Sequence, residues 1–145
     1  MTLSPGGLSV AALSTWVATA AFGGNLLIRG RAYLLWPRLW RRQQPKARAL
    51  LMTAHVLLAI GGLAIWLGYL TLHRDIFLDV AALVLGCVAV IGLSVVDRWR
   101  HAPGRHSARV PAESRFPVWS ATVHVMAGTA TVVLVVLVLV AGLPG

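Results

Sequence analysis

Residues 49–72 read ALLMTAHVLLAIGGLAIWLGYLTL, an uninterrupted apolar run in which His55 is the one side chain that titrates near neutral pH. Crossing the roughly 30 Å hydrocarbon core of a bilayer takes about 20 apolar residues in a helix. A helix is required because no water is present there to satisfy an open backbone. An ionisable group inside such a run is expensive to bury, so it marks a functional site whose partner or ligand compensates the cost. Residues 117–143, PVWSATVHVMAGTATVVLVVLVLVAGL, repeat the pattern, with His124 in the same position. Each histidine lies about two helical turns inside the basic end of its run.

Working outward, the chain has 145 residues, of which 58% are hydrophobic and 12% charged. That balance lies far from the soluble globular norm. Four runs are long enough to span: Leu8 to Ile28, Ala49 to Leu72, Ile76 to Val96 and Val118 to Leu143. The expectation is an all-α fold, a four-helix transmembrane bundle forming one integral membrane domain over residues 1–145. The first run lacks a basic n-region and its basic flank follows it, so it reads as a retained N-out helix and not as a cleaved signal peptide.

The net charge of +9 would suit a nucleic-acid binder if it covered a soluble surface. Its placement says otherwise. Arg29, Arg31, Arg38, Arg41, Arg42, Lys46 and Arg48 separate runs one and two, and Arg98, Arg100, Arg105, Arg109 and Arg115 separate runs three and four. Short loops rich in Lys and Arg stay in the cytoplasm, which predicts both termini outside, in a bacterial plasma membrane, with the basic loops against anionic headgroups. Cys87 is the single cysteine, which excludes an internal disulfide and a Cys-rich metal site; in mid-run it reads as core filler.

Small residues at helical spacing predict the packing faces: Ser14, Ala18, Ala21 and Asn25 on run one, and Ala82, Gly86 and Ala89 on run three. Asn25 reads foremost as an interhelical hydrogen bond. Tyr33, Trp36, Leu39 and Trp40 predict a short interfacial helix in the first basic loop. The turn at His73, Arg74 and Asp75 makes runs two and three a tight antiparallel pair. With Asp79, it carries a small polar cluster that reads as solvated. His101 and His106 likewise read as solvated, with no nearby cysteine to form a zinc site.

Sliding the chain on itself by 69 positions places Thr53, His55 and Val56 on Thr122, His124 and Val125, Gly23 on Gly92, Ala20 on Ala89, and Arg29 and Arg31 on Arg98 and Arg100. Such a repeat predicts two like-oriented hairpins about an axis along the membrane normal. The two histidines would then face one another across it.

Runs two and four point the same way, so the two imidazoles sit at matching depth, roughly 10 to 12 Å above the basic flanks at 1.5 Å per residue. Diagonal helices of a bundle lie roughly 11 to 14 Å apart. That gap is too wide for direct contact but suits two imidazoles holding one iron. Small residues central to each ligand, Ala59 and Gly62 on run two and Gly128 on run four, would admit the macrocycle. Arg48 near the surface would pair with propionates, and Thr53 or Ser120 could supply supporting contacts. On His55, His124, the helix number and the glycines, the chain resembles small membrane b-type cytochromes of the cytochrome b561 kind. The resemblance implies a b-type haem ligated by His55 and His124, and electron transfer with a quinone or a redox partner subunit. It departs from that pattern in offering only His73 toward the outer surface, where a second histidine pair would stand.

Two other readings compete: a non-catalytic assembly subunit within a homo- or hetero-oligomer, in which the histidines only bridge helices, and a small proton-coupled carrier that uses them as proton sites. A multidrug-type carrier would want a membrane-embedded carboxylate in its first helix, and run one has none. No convergent carboxylate, Ser-His or phosphate-binding motif points to hydrolase or transferase chemistry.

Overall fold

Apolar composition over spanning length demands helix, and helix is what forms. The computed structural model describes residues 5–34, 45–100 and 118–142, in which four helices run in sequence: α1 (Pro5–Leu34), α2 (Pro45–Leu72), α3 (Asp75–Arg100) and α4 (Val118–Ala141). No strand occurs among the described residues. Each helix contains a 23-residue segment long and apolar enough to cross a membrane: Gly6–Ile28, Leu50–Leu72, Asp75–Asp97 and Trp119–Ala141. These spans match the four apolar runs within a few residues. Helices α1, α2 and α3 extend further at their basic ends. The expected interfacial helix beyond Tyr33 and the loop histidines His101 and His106 lie outside the described residues.

The ends follow local chemistry. Pro45 opens α2 at a position where its missing N–H costs nothing. Asp75 opens α3, with its carboxylate at the positive end of the helix dipole. Between α2 and α3, His73 takes a left-handed backbone with φ 52°, and its N–H donates to the Tyr69 carbonyl at 2.9 Å. Gly142 closes α4 through N–H bonds to Val138 and Leu139 at 3.1 and 3.2 Å.

Helices α1 and α4 form one close antiparallel pair, and α2 and α3 form the other. The pairs meet along narrower seams, α1 to α2 and α3 to α4, which puts α2 and α4 on a diagonal. Between membrane helices the lipid supplies little hydrophobic drive, so close approach through small residues and interhelical hydrogen bonds decides packing. Ala12 and Ala81 are both fully buried. A Cβ on Gly62 would stand 2.9 Å from the Trp16 ring and 3.0 Å from Val84.

The packed faces differ from those expected. On α1, Ser9, Ala12 and Trp16 are buried, whereas Ser14 and Ala21 are exposed, and the Ser14 hydroxyl turns back on its own helix to Val10. On α3, Leu78, Ala81, Leu85 and Val88 are buried, while Gly86 has nothing within 4 Å of a built Cβ. Cys87 is exposed and is not core filler. Small residues occur on both sides of these helices, and bulky indole and leucine side chains take the interior because they fill it.

Burial is uneven along the bundle. The core of Ala12, Trp16, Trp66, Leu78, Ala81, Leu85, Val135 and Val138, with Thr131, lies entirely in the half toward the His73 turn. In the half toward the basic loops, past Val88, Ser120 is the one buried side chain among the residues whose side chains are described.

Candidate functional site

His55 on α2 and His124 on α4 meet at the boundary between those two halves. Their ring centres are 6.1 Å apart and their planes are inclined at 69°. That is nearer than the diagonal helix separation suggested, and it falls within the range over which aromatic rings interact. The long imidazole side chains close the gap from either side.

Each ring is held by the other helix of its own pair. Nδ1–H of His55 donates to the Val88 carbonyl on α3 at 3.0 Å, and Nδ1–H of His124 donates to the Thr19 carbonyl on α1 at 2.8 Å. A carbonyl only accepts, so the bond places the proton on Nδ1 and leaves the Nε2 lone pair as the atom available to a ligand. Glycine makes the approach possible. A Cβ on Gly92 would lie 3.0 Å from Cε1 of His55, and a Cβ on Gly23 would lie 2.9 Å from Cε1 of His124.

These contacts carry the 69-position offset through the site: His55 with His124, Val88 with Thr19, and Gly92 with Gly23. Two half-sites of the same construction therefore face each other. The halves differ in polarity. The α1–α4 interface is threaded by hydroxyl and amide bonds, Thr131 to Thr15 at 3.0 Å and Asn25 to Ser120 at 3.2 Å. At the matching places, the α2–α3 interface has Gly62 and Val84, Leu51 and Ser94.

The other expected site residues are placed as follows. Gly62 is buried, and the space beside it is taken by the Trp16 indole and Val84, so the recess expected there is filled. Ala59 is half-buried. Gly128 is half-buried with Thr19 Cγ2 3.6 Å from a built Cβ, an ordinary contact with α1. Thr53 is exposed, and Ser120 accepts a bond from Asn25, so the supporting contacts to the imidazoles are backbone carbonyls and not these hydroxyls. The Arg48 side chain lies outside the described residues. His73, Asp75 and Asp79 are exposed, with Nδ1–H of His73 donating to Tyr69 O at 3.4 Å.

Both histidines stand out in the sequence, but nothing there marks Gly23 and Gly92 as their neighbours, although the offset that pairs His55 with His124 also pairs those glycines. The carbonyls of Thr19 and Val88 left no signal, because every residue has one. Among the described residues no three His, Cys, Asp or Glu side chains converge. The His55 and His124 pair therefore offers two nitrogens, and haem, which brings four of its own, needs only such a pair. Comparison with protein-family models, curated proteins and solved structures returns no match.

Proposed function

We propose that the chain is a membrane-embedded b-type haem protein with His55 and His124 as axial ligands, exchanging electrons with a quinone or a partner redox protein. The observation that supports it is the paired disposition of the two rings, 6.1 Å apart, each with Nδ1 committed to a carbonyl. Metal–imidazole bonds of about 2.0–2.1 Å, with about 1.1 Å from ring nitrogen to ring centre, put two imidazoles on opposite sides of one metal ion with centres about 6 Å apart. An imidazole that donates its second N–H to a carbonyl is the usual second-shell arrangement of a metal-binding histidine.

Bound there, haem supplies one-electron chemistry. The chain's part would be to orient both ligands and to keep the site apolar, and Arg48 with the neighbouring cations of the basic loops would neutralise propionates. Those loops lie on the cytoplasmic side, with anionic headgroups as their lipid partners. About 25 Å of helix separates His55 from the far end of α2. With one haem, electrons enter and leave on the basic-loop side.

An absorption spectrum of the detergent-purified protein, expressed with adequate haem, tests the reading. A Soret band with low-spin α and β bands in the reduced state is the expected result; a protein that remains colourless under those conditions overturns it.

A further inference from the structure

The two half-sites do more than bring nitrogen atoms together. A ligand imidazole has one remaining freedom once its Nε2 is committed, which is rotation about the bond to the metal. Here that freedom is already removed on both sides. The carbonyls of Val88 and Thr19 fix one edge of each ring through Nδ1, and Cε1 next to it fills the space that a Cβ would need at Gly92 and at Gly23. A side chain at either glycine would have to displace the ring, because contacts under 3.0 Å are not sustained and those near it force the neighbour to move. The planes so held are inclined at 69°.

Resting on the haem reading above, we propose that Gly23 and Gly92 are positioning residues that, with the Thr19 and Val88 carbonyls, lock the two axial imidazoles in crossed planes and in the Nδ1–H tautomer. Crossed planes would leave the upper two of the three occupied d orbitals of a low-spin ferric iron close in energy, since each ring would interact with a different one. Parallel planes split them. The arrangement therefore fixes the ligand field of the iron, and it does so from α1 and α3, neither of which supplies a ligand.

Two measurements test this, one of which needs no haem. In the unloaded chain, the 15N resonances of His55 and His124 report the tautomer. Protonation at Nδ1 of both rings is expected, and an Nε2–H tautomer at either overturns the proposal. In the haem-loaded protein, the low-temperature electron paramagnetic resonance of the ferric state reports the angle. A highly anisotropic low-spin signal with its main feature displaced to low field is expected; the rhombic three-line signal of parallel imidazoles overturns the proposal while leaving the haem assignment standing.

Variants localise the effect. Gly23→Ala and Gly92→Ala should each shift the signal at unchanged haem content, or lower haem occupancy severalfold where the ring cannot adjust. Gly24→Ala and Gly86→Ala, where a built Cβ meets nothing within 4 Å, should leave it as in the parent chain. Identical spectra and occupancy in all four variants overturn the proposal. Loss of the Soret band from the parent chain overturns the haem reading and, with it, the proposal.

Discussion

His55 and His124 were legible because each interrupts an apolar run, and a titratable group in hydrocarbon has to be explained. What the sequence could not disclose was how each ring is held. The partners are main-chain carbonyls, set by the register of α3 on α2 and of α1 on α4. On the haem reading, each histidine should prove indispensable to the low-spin state. His55→Ala and His124→Ala are both expected to abolish the six-coordinate spectrum, and survival of that spectrum in either variant identifies a different ligand. Away from the site, Trp66 is the side chain on which the core depends most. It is fully buried and packs on Trp16 and Tyr69 with ring centres 6.2 and 5.3 Å away. Its Nε1–H is buried without a hydrogen-bond partner, which forfeits about 1–3 kcal/mol. Trp66→Ala should cost about 3–5 kcal/mol by leaving a large cavity. Trp66→Phe, which removes the unsatisfied donor along with part of the volume, should cost much less. Thermal unfolding in detergent distinguishes the two.

Among the elements, the four spans could be read directly, since length and apolarity alone specify a membrane helix. The faces could not. On α3 the expected packing stripe of Ala82, Gly86 and Ala89 lies one position from the stripe that is buried, Ala81, Leu85 and Val88. In a soluble helix a polar face would have fixed the rotation, but here lipid and interior are equally apolar, and small residues mark either side. The α2–α3 turn offers a cleaner test. His73 occupies a left-handed backbone normally given to glycine, and its side chain gains only a 3.4 Å contact to Tyr69 O. His73→Gly is expected to stabilise the hairpin by about 0.5–1 kcal/mol, read as a higher unfolding midpoint in detergent. An unchanged or lower midpoint would show that the exposed imidazole contributes more than its geometry suggests.

Across the whole molecule, the faint self-similarity at 69 positions becomes a repeated half-site of histidine, carbonyl and glycine. Sequence identity was too diluted by the limited apolar alphabet to reveal it, because only the residues in contact with the imidazoles had to match. The packed core lies in the half that lacks the histidines. The fold should therefore not depend on them. The double variant His55→Ala and His124→Ala is expected to insert and to keep parental helical content by circular dichroism, and collapse of the bundle would show that the site also holds the fold together. Orientation is tested at the turn. Thr71→Cys in a Cys87→Ser background places a single exposed thiol beside His73. A membrane-impermeant reagent added outside intact cells should label it; protection from outside and labelling from the cytoplasmic side would invert the topology.

The uneven burial along the bundle also has a mechanical meaning. Helices clamped together at one end and freer at the other behave like the two arms of a clothes peg, with Ala12, Trp16, Trp66 and Ala81 as the spring. Along their own helices His55 and His124 are about 10 Å or more from the buried Trp66 and Thr131, so a change of about 5° between the two helix pairs would move the rings apart by about 1 Å. The jaws of the peg are the two imidazoles. A change in the angle between the two helix pairs would therefore be felt first as a change in the spacing of the imidazoles.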